Sequence, residues 1–143
     1  MNTELRVYED QVEMVSKNEI ISTAKLFDFM KLYIVFHENA LFHGDEEFYV
    51  VIFRDFLWVI PDCISGVDEL LQAILSKPEN LNNIFKARIP PCPFVWRKRI
   101  LGTIPLFPIP RLAQHPLSTL PDWQQVTRVN REEIKKLINN GDF

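Results

Sequence analysis

The sequence predicts an α+β fold: a small mixed sheet packed against several helices, with a proline-rich extended arm toward the C-terminus. Three observations lead to it. The run "FYVVIFRDFLWVIP" (48–61) concentrates β-branched and aromatic residues, as the middle of a sheet does. It is followed by Val67, Leu70, Leu71, Ile74 and Leu75, spaced as one face of a helix. Eight of the ten prolines then fall between 90 and 121, too dense for a helix interior or a central strand.

Taken in order, "ELRVYEDQVEMV" places Leu5 and Val7 on one side of an alternation, which suits an edge strand followed by a polar turn. Ser22 and Thr23 offer N-caps ahead of "AKLFDFMKLYIVF", where Leu26, Met30, Tyr33 and Phe36 recur at helical spacing, so a helix buried on most of its circumference is expected there. Tyr33, Ile34 and Val35 favour strand, which leaves a shorter helix passing into a strand as the alternative. "NALFHGDEE" reads as a loop. In the run that follows, Arg54-Asp55 marks either a hairpin turn or a polar pair within one bent strand, since it is neither Asn-Gly nor Asp-Gly.

The next helix is expected from about 65 to 76, with Ser65 as cap and Asp68 as the capping-box acid, ending before Pro78. "PENLNNIFKARI" suggests a short helix from Pro78 or Glu79, with Leu81, Ile84 and Phe85 inward and Pro90-Pro91 as its stop. Between the later prolines only "FVWRKRILGTI" is long enough for an edge strand. "NREEIKKLINNGDF" is a helix with Asn130 as N-cap, Glu133 as its box partner and Asn140-Gly141 as the stop. A single domain over 1–143 is expected, because no linker or repeat divides the chain and its length is that of one ordinary domain.

Charge is distributed unevenly. Residues 1–60 carry eleven acids against five bases, and residues 86–111 carry six bases and no acid. The basic stretch also holds Phe94 and Trp96, which makes Phe94, Trp96, Arg97, Lys98, Arg99 and Arg111 the candidate protein-binding residues: arginine beside aromatic rings is enriched at interface centres. A structural arm wrapping the core is the competing use of the same segment, and Pro105 and Pro108 set a PxxP-like spacing.

Signals for chemistry are sparse. The glycines at 44, 66, 102 and 141 are isolated, so there is no phosphate-cradling loop. His37 and His43 stand near Glu38, Asp45, Glu46 and Glu47 without a metal-ligand spacing, and no metal or cofactor is expected. Cys63 precedes a helix start, where a thiol can be activated, yet no CxxC or nucleophile elbow accompanies it; Cys63 and Cys92 read as free buried thiols. The polar, acidic start and the interruption of the longest apolar run by Arg54 and Asp55 argue against a signal peptide or a membrane span, so a cytoplasmic setting is expected, or the host-cell interior for a viral chain.

These observations favour a small regulatory or accessory protein, not an enzyme, that binds another protein through the patch at 94–99. The alternative is a nucleic-acid-binding module using the same bases. A third is a small hydrolase built on Cys63 or on the His43, Asp45 and Glu47 cluster. Eleven phenylalanines leave room for a homodimer.

Overall fold

The computed structural model describes residues 3–37, 46–89, 112–120 and 126–139. Strands β1 (Thr3–Val7), β2 (Gln11–Ser16) and β3 (Glu19–Lys25) form an antiparallel three-stranded sheet in that order. The β2–β3 turn consists of Lys17 and Asn18 at φ of 54° and 65°, the left-handed pair a tight hairpin requires; asparagine accepts it at low cost.

A second, six-stranded sheet is built from β4 (Phe29–His37), β5 (Glu46–Phe53), β6 (Phe56–Pro61), β7 (Ile84–Ile89), β8 (Ala113–Pro116) and β9 (Val126–Arg128), in the order β8-β6-β5-β4-β7-β9. It is mixed: β4 and β7 run parallel, and every other neighbouring pair is antiparallel. Helix α1 (Val67–Leu75) and a 3-10 stretch, Pro78–Asn83, connect β6 to β7, the kind of crossover that a parallel partner needs. Helix α2 (Arg131–Asn139) follows β9.

The expected helix over 24–36 is not formed. β3 runs to Lys25, a 3-10 turn occupies Leu26–Asp28, and β4 takes the rest. β4 lies between β5 and β7 and from Leu32 to Val35 is covered on both faces, so that stretch is apolar without alternation and mimics a buried helix. The short helix expected from Pro78 is likewise shorter: Ile84 and Phe85 belong to β7, where they point to opposite faces. At Arg54-Asp55 the chain makes a hairpin, with Ile52 opposite Leu57 and neither turn residue at positive φ. Arg54 reaches Asp28 at 3.5 Å, tying the tip of that hairpin to the 3-10 turn.

Alternate residues of the six-stranded sheet feed two apolar clusters. On one face Leu32, Tyr49, Val51, Phe53, Trp58, Ile60 and Ile84 meet Leu70, Leu71, Ile74 and Leu75 of α1, Ile134 of α2, and Leu5, Val12 and Met14 of the small sheet. The stripe read from the sequence thus packs against the run at 48–60 as expected. On the other face lie Tyr33, Val35, Phe48, Val50, Ile52, Leu57, Val59 and Ala87, with Phe85 and Leu120 against them. Each fully buried aliphatic or aromatic side chain contributes about 1.5–3 kcal/mol. Gln114 fastens the small sheet to the large one: its Oε1 accepts from Trp58 Nε1 at 2.9 Å and from the Ser22 hydroxyl.

α1 and α2 start close to the expected places, with a different cap at α1. α1 is entered through Gly66 at φ 93°, and no side chain caps it, so Ser65 is not the cap. A Cβ on Gly66 would sit 2.1 Å from the Leu5 carbonyl oxygen, because β1 runs alongside: the Leu5 N–H donates to the Ser65 carbonyl at 2.8 Å. Close approach of backbone to backbone selects glycine here. At α2, Asn130 Oδ1 accepts from the Glu133 N–H at 2.9 Å, the expected cap. The Glu133 carboxylate turns instead to Lys86 of β7, an ion pair that holds its carboxyl below the usual carboxylate range.

Candidate functional site

Phe94, Trp96, Arg97, Lys98, Arg99 and Arg111 lie outside the described residues, as do His43, Asp45 and Cys92. The described surface contains an aromatic and basic site of its own. β7 sits between β4 and β9, and its Phe85 is opposite Tyr33 on one side and Arg128 on the other. Residues directly opposite share a face, so the three side chains form one row across three strands. Lys31, two residues before Tyr33, projects from the same face.

Tyr33 and Phe85 stack with centroids 5.5 Å apart and planes at 27°. The Lys31 Nζ lies 5.8 Å from the Phe85 centroid, and the Arg128 guanidinium carbon 5.9 Å from it. Tyr33 is buried, which raises its hydroxyl pKa by desolvation; Phe85 is half-buried, and both cations are exposed. Among the described residues no carboxylate stands within ion-pair distance of Lys31 or Arg128, whereas Arg6, Arg54 and Lys86 are each held by an acid. Val126, 37% exposed, extends the surface along β9. The arrangement offers a half-buried ring with two positive charges beside it that no described acid pairs with, suited to an apolar group flanked by anions.

Sequence reasoning missed this site because it placed Phe85 on the inner face of a helix. The available signal was the alternation in "IFKARI", with Phe85 and Ala87 apolar against Lys86 and Arg88, which is a strand pattern. Register across three strands, which brings Arg128 beside it, has no local signature.

The residues considered for catalysis do not converge. Cys63 is a free, exposed thiol in the loop after β6 and not the buried one expected, since Pro61 ends the strand and turns the chain outward. No described side chain hydrogen-bonds to it. Glu47 is exposed on β5 and accepts from the hydroxyl of Tyr49, whose pKa is pushed far up, first by burial and then by the neighbouring acids Glu47, Asp62 and Asp68. Among the described residues no three His, Cys, Asp or Glu side chains gather closely enough to hold a metal ion. His115 on β8 keeps a buried Nε2 with no hydrogen-bond partner among the described residues, and burial lowers its pKa.

A cleft of about 380 Å³ runs between β1 and the start of α1, lined by Arg6, Tyr8, Ser65 and Glu69 among others. No histidine or cysteine lines it, and the Arg6 guanidinium is engaged by Glu4 at 2.9 Å. Among the described residues no helix is long and apolar enough to cross a membrane. Comparison with protein-family models, with curated proteins and with solved structures finds no match to this chain.

Proposed function

We propose that this chain is a small accessory protein that binds another protein, and that its partner presents acidic side chains around an apolar one. The observation that carries the reading is the half-buried Phe85 ring with Lys31 and Arg128 beside it and no described acid to neutralise them. A cationic spot on a chain of net charge −3 orients an encounter with an anionic surface. The basic and aromatic residues Phe94, Trp96, Arg97, Lys98, Arg99 and Arg111 supply a second element of the same chemistry, and the free thiol of Cys63 fits a cytoplasmic setting.

The test is capture of partners from the native cell extract by wild type, by a Lys31→Glu/Arg128→Glu variant and by a Trp96→Ala/Arg97→Glu/Arg99→Glu variant, each shown by circular dichroism to fold. Interface centres of this composition contribute about 2 kcal/mol or more, so the charge reversals should weaken one protein partner by roughly 30-fold. A Lys31→Arg/Arg128→Lys variant should retain it. Retention of every partner by both reversed variants overturns the proposal. Loss of nuclease-sensitive material, with binding that fades steeply in salt, replaces it with the reading in which a base stacks on Phe85 and phosphates meet the cations.

A further inference from the structure

We propose that the cleft between β1 and α1 binds an extended peptide segment carrying a lysine or arginine, which adds a strand to β1 where the chain's own ladder breaks off. The ladder is begun on the outer edge of β1: Ser65 bridges Glu4 in the parallel sense, and the Leu5 N–H donates to the Ser65 carbonyl at 2.8 Å. It stops there because Gly66, at φ 93°, turns the chain away into α1. β1 itself runs on to Val7. The hydrogen bond from the Tyr8 N–H to the Gln11 carbonyl fixes which backbone groups are turned to β2: those of Glu4, Arg6 and Tyr8 are, and those of Leu5 and Val7 point outward. Ser65 takes the Leu5 N–H, whereas the Val7 N–H and carbonyl have no partner among the described residues and lie on the wall of the cleft of about 380 Å³. That volume falls in the range of about 300–1,000 Å³ in which ligands are held. Unpaired strand groups in a concave site are what an extended peptide engages when it binds by strand addition.

Charge selects the occupant. A residue paired opposite Val7 projects from the face of Leu5 and Val7, the face on which α1 packs. Glu69 of α1 lines the cleft, exposed and without an ion-pair partner among the described residues. Arg6 also lines it, but its side chain belongs to the opposite face and is held by Glu4 at 2.9 Å, so it does not compensate Glu69. A base opposite Val7 therefore finds a free carboxylate, and an acid there is repelled. The ligand residues on either side of that base project toward the face of Arg6 and Tyr8, where the Tyr8 ring, 48% exposed, offers an apolar contact while its hydroxyl donates to Glu13 at 3.1 Å. The cleft thus calls for apolar and basic residues in alternation. The eleven acids against five bases of residues 1–60 draw such a segment toward this part of the chain.

Titration of the isotope-labelled full chain with a short, end-blocked peptide of alternating valine and lysine, followed by amide NMR, tests the proposal. The Val7 amide proton should move downfield as it gains an acceptor, while that of Leu5, already bonded to Ser65, should stay nearly in place. The same peptide with glutamate in place of lysine should not bind. Glu69→Lys should weaken the valine–lysine peptide about tenfold or more, and Glu69→Gln should weaken it less. Both variants should give the circular dichroism of wild type, since Glu69 is exposed. A Val7 amide that does not move at millimolar peptide, equal binding of the glutamate peptide, or a Glu69→Lys variant that binds as tightly as wild type each overturns the proposal. The Lys31→Glu/Arg128→Glu variant should bind the valine–lysine peptide as wild type does, which separates this cleft from the Phe85 surface.

Discussion

Two residues show how the environment sets a side chain's worth. Gly66 combines a positive φ with the Leu5 backbone where a Cβ would stand, so relaxation at that position requires β1 to move. Gly66→Ala should therefore destabilise the protein by about 2 kcal/mol or more in chemical unfolding, and a loss below about 0.5 kcal/mol would show that β1 yields freely. His115 is the opposite case, a titrating ring with a buried nitrogen that has no hydrogen-bond partner among the described residues. Its folded pKa lies below the ordinary 6.5, so the unfolded chain takes up the proton first as the solution is acidified. The stability associated with the neutral ring is present above pH 6.5 and is lost as the pH falls through that value toward the lower folded pKa. Unfolding free energies measured between pH 7.5 and pH 5, on the order of one unit to either side of the transition, should fall more steeply for wild type than for His115→Gln. Parallel slopes would mean the ring is solvated in the folded state.

At the scale of elements, what could be read from the sequence depended on how one-sided each element is. α1 and α2 each bury one stripe and expose the rest, so their periodicity survives in the sequence, and the α2 cap at Asn130 is a local event that three residues suffice to encode. The middle of β4 buries both faces, and the alternation that marks a strand is erased there; Leu26, Met30, Tyr33 and Phe36 then fall at helical spacing by coincidence. β8 and β9 are too short to carry a pattern, and they exist because β6 and β7 offer them edges. The cap of α1 went to Gly66 and not Ser65 because of a neighbour sixty-one positions away in the chain, the Leu5 carbonyl, which no local motif records. The same reason hid the Phe85 site. Its aromatic and basic character was legible as a type of surface at 94–99, but the row of Tyr33, Phe85 and Arg128 is a product of register.

At the scale of the whole molecule, the two described sheets and two described helices share one apolar cluster, while the opposite face of the large sheet holds another. Polar links between the layers include Gln114 between Trp58 and Ser22 and Lys86 with Glu133. The central position of β4 also has a temporal consequence. Its neighbour β5 is the next strand along the chain, whereas β7, its parallel neighbour, arrives only after β5, β6 and α1 have been laid down. Closing the longer loop costs more entropy before any contact repays it, so the hairpins should assemble first and β7 should dock late. Successive amides of β4 point alternately toward β5 and toward β7, which makes this one strand a clock with two hands. In pulse-labelling hydrogen exchange during refolding, alternate amides of β4 should become protected together with β5, and the intervening ones only when β7 does; simultaneous protection of both sets would mean that the sheet closes in a single step.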